Sequence, residues 1–298
     1  MGSMRPPRRC RDPRPVGEHR FMTEQRHSRY VHGTAPEEQR RLSTLNDLVN
    51  ASSLAALGLR GGERVLDMGA GLGQLTRAIA RAVGPAGRVL GIERSVEQIA
   101  EARRLARAEG EERLLELRAG DVMALDLADG EWGSFDVAHA RFILEHVPEP
   151  LRVVQAMVRA VKVGGRIVLE DDDHDVLRLW PEPPGLYDLW RAYIRSYEKN
   201  GNDPYVGRRL VELLHAAGAA PARNSWLFFG GCAGDGRIDL FVGNLAGLLE
   251  GARAEILEAG KIEDARFDAA IAATRAWGER PDAAFWFARC WAEGVRRA

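Results

Sequence analysis

A chain of 298 residues with a formal net charge of -1 is long enough for a sizeable core and has no overall pull toward nucleic acid or an anionic membrane. Three cysteines, Cys10, Cys232 and Cys290, lie far apart with no CxxC or Cys/His spacing, which points to neither a disulfide framework nor a zinc site and fits a reducing cytoplasm. No apolar run approaches the roughly 18 residues of a membrane span, so a soluble chain is expected.

Residues 1–29 read as a disordered basic tail: Arg5, Arg8, Arg9, Arg11, Arg14 and Arg20 stand among prolines with almost no large apolar side chain. From Tyr30 the chain leads into a helix opened by Thr34, Pro36 and an acidic first turn, with Leu42, Leu45, Leu48 and Val49 at helical spacing. Leu54, Leu57 and Leu59 continue this apolar face on a second short helix.

The stretch from Arg64 to Arg94 carries the most information. Val65 and Leu66 make a short buried strand, and Asp67 closes it. Gly69, Gly71 and Gly73 form a turn in which positive φ and close backbone approach are both allowed. A helix follows, so the turn is a shelf for a polar ligand. The next strand ends on Glu93, about 20 residues past the glycines, where a carboxylate accepts from both ribose hydroxyls. An adenosine-bearing ligand is implied. Gln74 occupies the place of the third glycine of a GxGxxG fingerprint, which argues against a pyrophosphate.

Ser95 caps a helix over 95–109 with Glu97 and Gln98 in its first turn. A third strand, Leu115 to Leu117, runs into Gly120-Asp121-Val122, and a fourth begins at Phe135. A helix over 151–161 stops at the turn Val163 to Arg166, and a fifth strand, Ile167 to Glu170, ends in Glu170-Asp-Asp-Asp-His174. Ligands of open α/β sheets bind beyond the carboxyl ends of the strands, so this acidic cluster belongs at the pocket mouth. Trp190, Tyr193 and Tyr197 share one helical face, either a lid over a bulky substrate or ordinary core. A helix over 205–217, a strand over 224–229, two helices within 238–277 and a last strand from Ala284 to Trp291 complete the chain.

At Asp67-Met-Gly-Ala-Gly-Leu-Gly73 and at Phe135-Asp136…Leu144-Glu-His146-Val-Pro148 the sequence resembles motifs I and IV of the class I S-adenosylmethionine-dependent methyltransferases, in the bacterial small-molecule branch. The resemblance covers residues 30 to 171 by ordered motifs. It implies an α/β fold, a three-layer Rossmann-like sheet of seven mixed strands with helices on both faces. The domain would run over 30–298, with inserted helical cap segments near 172–205 and 235–280. It also implies S-adenosyl-L-methionine as cofactor, with Tyr30, Asp67, Gly69, Ala70, Gly71, Glu93, Arg94, Gln98, Asp121, Val122 and Arg141 around it. Asp121 would accept from the adenine amino group, and the Val122 N–H would meet the ring. Arg141 would pair with a cofactor or substrate carboxylate, or else with Glu145.

Such enzymes need to align a nucleophile and exclude water, with deprotonation as the one extra step. His174 is the expected base, oriented by Asp173 or Glu170; His146 is the other candidate, and His139 reads as a packed strand residue. No metal is expected, because consecutive acids along 171–173 point in alternate directions. No Asn/Asp-Pro-Pro-Tyr signature of nucleic-acid methylation sits after the fourth strand, so the partners are a small-molecule acceptor, as in secondary metabolism, and at most a second copy of the chain. Two other readings share parts of this pattern: a nicotinamide-dependent oxidoreductase, and an S-adenosylmethionine binder that does not methylate.

Overall fold

The computed structural model describes residues 49–260 and 262–298. The tail over 1–29, Tyr30 and the helix opened by Thr34 lie outside the described residues. Residues 49–57 are helical (α1). They are followed by β1 (Arg64–Met68), α2 (Gln74–Val83), β2 (Arg88–Glu93), α3 (Val96–Ala108), β3 (Leu115–Ala119) and β4 (Phe135–Arg141). The second half holds α4 (Pro150–Ala160), β5 (Val161–Asp172), β6 (Arg178–Trp180), α5 (Leu186–Lys199) and α6 (Leu210–Ala216). It closes with β7 (Ala219–Cys232), α7 (Arg237–Gly251), α8 (Arg253–Gly260), α9 (Asp264–Gly278) and β8 (Ala284–Arg296).

The strands lie in the order β3-β2-β1-β4-β5-β8-β7, with β1 to β5 parallel and β8 antiparallel to both its neighbours. This is the expected seven-lane mixed sheet with one addition. β8 is longer than the stretch of β5 it pairs with, Arg166↔Val295 to Asp172↔Arg289, and its free length takes β6 along the same edge, Arg178↔Trp286 to Trp180↔Ala284. Eight strands therefore occupy seven lanes.

Side chains alternate across the sheet, and each set is covered. Val65, Val137, Val168 and Trp291 pack with Leu57 of α1 and Ile79 of α2 on one face. Leu66, Ala138, Ile167 and Ala292 pack with Val154 of α4 and Leu213 of α6 on the other. Both faces being buried explains why the parallel strands read as unbroken apolar runs.

Three boundaries differ from the sequence expectation. The Val163 to Arg166 segment is part of β5: Gly164 takes φ +79°, and the pairing with β4 shifts register between Phe135 and Val137. Glycine there makes a bulge that bends the strand without ending it. β7 and β8 pair continuously from Ala219↔Arg296 to Cys232↔Ala284, so both outrun their apolar segments; Pro221, Arg223 and Asn224 mask the strand in the sequence. The region over 238–277 holds three helices, since α7 stops at Gly251 and the Ala252 N–H closes back onto Leu248.

Helix α5 and the helices α7 to α9 share one core. Trp190, Tyr193 and Tyr197 of α5 are buried with Phe241, Phe267 and Trp277 of α7 and α9. Phe241 stacks on Phe285 of β8 at 3.9 Å and 9°. At about 1.5–3 kcal/mol for each large apolar side chain buried, this cluster anchors these helices to the β8 edge of the sheet. The aromatic face of α5 is thus core, not an open lid.

Cys232 is exposed, whereas Cys290 is buried in β8 and burial pushes its thiol up to about 12. In native protein at about pH 8, a thiol reagent is expected to label Cys232 and spare Cys290 until the chain unfolds. Peptide mass spectrometry reads this directly. Equal labelling rates would contradict the packing of β8 between β5 and β7.

Candidate cofactor and substrate site

The glycine turn after β1 is tied to β2, because the N–H groups of Gly69 and Ala70 both donate to the Ile92 carbonyl, at 2.8 and 2.9 Å. Gly69 has φ +77° and Gly71 φ +55°. A Cβ on Gly69 would lie 2.0 Å from Ile143 Cδ1, so the segment after β4 closes directly onto the turn. Glu93, at the end of β2, accepts from the Gly71 N–H (3.0 Å) and the Ser95 N–H (2.8 Å). A carboxylate has about four acceptor positions, so it retains capacity for hydroxyl donors. Gln98, buried on α3 behind the Ser95 cap, lies over Gly71, while Arg94 is exposed. Asp121 is exposed past β3 and caps Met123 N, and Val122 stands partly buried beside it.

Asp67 points under the turn and is occupied within the protein. It accepts from Thr76 Oγ1 at 2.6 Å, and its other oxygen is 2.8 Å from His139 Nδ1. His139 has no exposed surface. Arg141 reaches α1, donating to Asn50 Oδ1 (2.8 Å) and Ser53 Oγ (3.2 Å); its sequence-level partner Glu145 faces elsewhere. After Arg141 the chain turns sharply: Phe142 adopts φ +54°, rare for a bulky residue. The Ile143 and Leu144 N–H groups donate to Asp171 Oδ2 at 3.1 and 2.8 Å, which holds that turn against β5.

The expected orienters of His174 are both engaged elsewhere. Glu170 forms a fully buried ion pair with Arg289 of β8 and also accepts from Ser53 Oγ (3.0 Å). Asp173 takes a two-pronged contact from Arg208, at 2.6 and 2.7 Å. His174 pairs instead with Glu145: Nε2 lies 2.9 Å from Oε2. The rings of Trp190, Tyr193 and Tyr197 stand 5.4, 5.8 and 5.1 Å from the imidazole, and Trp190 Nε1 donates to the His174 carbonyl. His146 packs on the other oxygen of Glu145, at 3.3 Å.

Burial dominates the electrostatics here. It pushes the Glu145 carboxyl up to about 8 with help from Asp203, and holds His146 down to about 3 beside His174. It lowers His174 and, with Glu145 adjacent, raises Asp171 and Asp172 well above the usual carboxylate range. Burial and mutual repulsion thus disfavour the charged forms throughout this group.

Glu145, as partner of His174, and Arg289, as partner of Glu170, are the residues that sequence reasoning missed. Arg289 leaves a trace as the single cation inside the apolar run Ala284 to Trp291.

A parallel sheet with a glycine-lined strand-to-helix turn, an acid closing the second strand and polar groups at the ends of the fourth and fifth strands defines a binder of an adenosine-bearing ligand. Comparison with known proteins makes this specific. A family model described as a methyltransferase domain matches residues 59–195. A demethylmenaquinone methyltransferase of Lactococcus lactis is 32% identical over 58% of this chain and 72% of its own length. An uncharacterized 37.1 kDa transposon protein of Streptomyces fradiae is 37% identical over 56% of this chain and 46% of its own. The chain spans about half the length of several curated relatives it matches. Geranyl diphosphate methyltransferase, solved with S-adenosylmethionine, shares the fold at a TM-score of 0.52 and 16% identity, over 89% of this chain and 92% of that one.

The chain belongs to the S-adenosylmethionine-dependent methyltransferase family, whose cofactor is S-adenosyl-L-methionine. The turn can hold that cofactor: Glu93, which closes β2, retains acceptor capacity at its edge beyond the Gly71 and Ser95 N–H groups.

Proposed function

We propose that the chain transfers a methyl group from S-adenosyl-L-methionine to a small-molecule acceptor, a secondary metabolite in the cytoplasm. The observation that carries this reading is the turn at Gly69 to Gly73 with Glu93 set 3.0 Å from the Gly71 N–H at its edge. In the same reading Gln98, Arg94, Asp121 and Val122 surround the adenosine, and Asp67 and Arg141 flank the amino-acid end.

The bound cofactor supplies an electrophilic methyl carbon, whose bond to sulfur breaks as an acceptor lone pair forms the new bond. The protein's share is to align the acceptor, exclude water and remove a proton. The segment after β4, closed by Ile143 against the Gly69 turn, is placed for the first two. Glu145, Asp172 and His174, at and beyond the carboxyl ends of β4 and β5, are the polar groups placed for the third. No described helix is long and apolar enough to cross a membrane.

Calorimetric titration with the cofactor tests the first half. Glu93→Gln is expected to weaken binding at least about tenfold, since a hydrogen bond to a charged group contributes about 1.5–3 kcal/mol and about 1.4 kcal/mol is a factor of ten. Unchanged affinity would sink the placement. Mass spectrometry of candidate metabolites, seeking the gain of one CH2 in the presence of cofactor, tests the second half and separates methylation from a cofactor-bound reaction of another kind.

A further inference from the structure

Alternation along β5 separates Asp171 from Asp172. Asp171 turns to the backbone amides of Ile143 and Leu144, while Asp172 falls in with His174, just beyond the strand, and with Glu145 from the turn after β4. One donor atom from each of Glu145, Asp172 and His174 lies within 4.8 Å of the other two. The site is built into the fold: Glu145 and His174 are 4% and 5% exposed, and Asp172 is partly buried.

Two features point to a missing ligand. First, the buried Asp172 Oδ1 has no hydrogen-bond partner, although polar groups at this depth are almost always paired. Second, two carboxyl groups face one another with no lysine or arginine bonded to either among the described residues; Arg208 and Arg289 are committed to Asp173 and Glu170. Clustered buried acids without a cation are costly unless protons or a metal ion neutralise them.

We propose that Glu145, Asp172 and His174 bind a divalent transition-metal cation of the Mn2+, Fe2+ or Zn2+ class. Two carboxylate oxygens with one imidazole suit these ions better than Mg2+ or Ca2+, which prefer oxygen alone. The 2.9 Å between His174 Nε2 and Glu145 Oε2 is also the spacing of two neighbouring ligands on one ion with bonds of about 2.0–2.2 Å. Three protein ligands leave coordination positions open, as in catalytic sites. The Trp190 contact to the His174 carbonyl and the surrounding rings hold the imidazole in place and keep the site dry.

Metal binding stands on these residues alone; its use in catalysis rests on the methyl-transfer reading. An acceptor hydroxyl in the open position would lose its proton to solvent more readily, because a bound cation lowers the pKa of a ligated oxygen. His174 then acts as a ligand and not as a base.

The test uses the full chain, stripped with a chelator and titrated by calorimetry with Mn2+, Zn2+ and Mg2+ separately. Wild type is expected to take up a single equivalent of Mn2+ or Zn2+ and to prefer either to Mg2+. Glu145→Gln and Asp172→Asn are each expected to weaken that binding at least about tenfold, with thermal midpoint and cofactor affinity at wild-type levels. No saturable uptake by wild type would overturn the proposal, as would uptake that neither substitution weakens. If one variant fails to fold, the other and the wild-type stoichiometry still decide. Cofactor titration of the same samples reads the methyl-transfer reading separately, so failure of one is distinguishable from failure of the other.

Discussion

Arg289→Ala is expected to lower the unfolding free energy by about 3–5 kcal/mol, because it leaves a buried carboxylate without its cation. Arg289 and Glu170 are both fully buried. The guanidinium also donates to Ser52 Oγ at 2.7 Å, so it joins β8 and β5 to α1. The double variant Arg289→Met/Glu170→Met should recover most of the loss, since an apolar pair of similar volume removes both charges together. Denaturant titration of the two variants measures the difference. A loss below about 1 kcal/mol in the single variant would mean that Glu170 finds another partner.

Gly69→Ala is expected to damage the cofactor turn more than a single methyl group ordinarily does. A left-handed conformation costs a side-chain-bearing residue about 1–2 kcal/mol. The new Cβ would also sit 2.0 Å from Ile143 Cδ1, far inside contact, so the turn or the segment after β4 must move. We expect cofactor affinity to fall at least about tenfold, equal to about 1.4 kcal/mol. Adding Ile143→Ala should restore part of the stability by clearing the space, without removing the φ strain. Calorimetry and thermal melting on both variants check this. Full affinity in Gly69→Ala would contradict the closure of the two segments.

Much of the site was legible because its chemistry is local. Gly69, Gly71 and Gly73 take positive φ within one turn, and Ser95 caps its helix three residues from Gln98. Glu93 meets the turn because β1 and β2 are neighbouring strands joined by one helix, a geometry that fixes the spacing along the chain. Boundaries failed where pairing overrides composition: Pro221 and Arg223 lie in a strand because β8 offers a continuous partner edge.

The partners at the ends of β4 and β5 were not legible. Alternation along 171–173 correctly argues that consecutive acids do not share a site, yet it is silent on what crosses over from another strand. Glu145 meets His174 across 29 residues, and Arg289 meets Glu170 across 119. Asp173 and Glu170, the two acids expected to orient His174, are taken by Arg208 and Arg289.

The sequence by itself determined the parallel α/β sheet, the glycine shelf and the acid that closes β2, because strand period, positive φ and the spacing of a single βαβ unit are properties of short segments. Only the tertiary structure decided which carboxylates stay unpaired. That depends on the register of β8 against β5 and on the turn after β4, which deliver Arg289 to Glu170 and bring Glu145, with no cation bonded to it among the described residues, to His174 and the neighbourhood of Asp172.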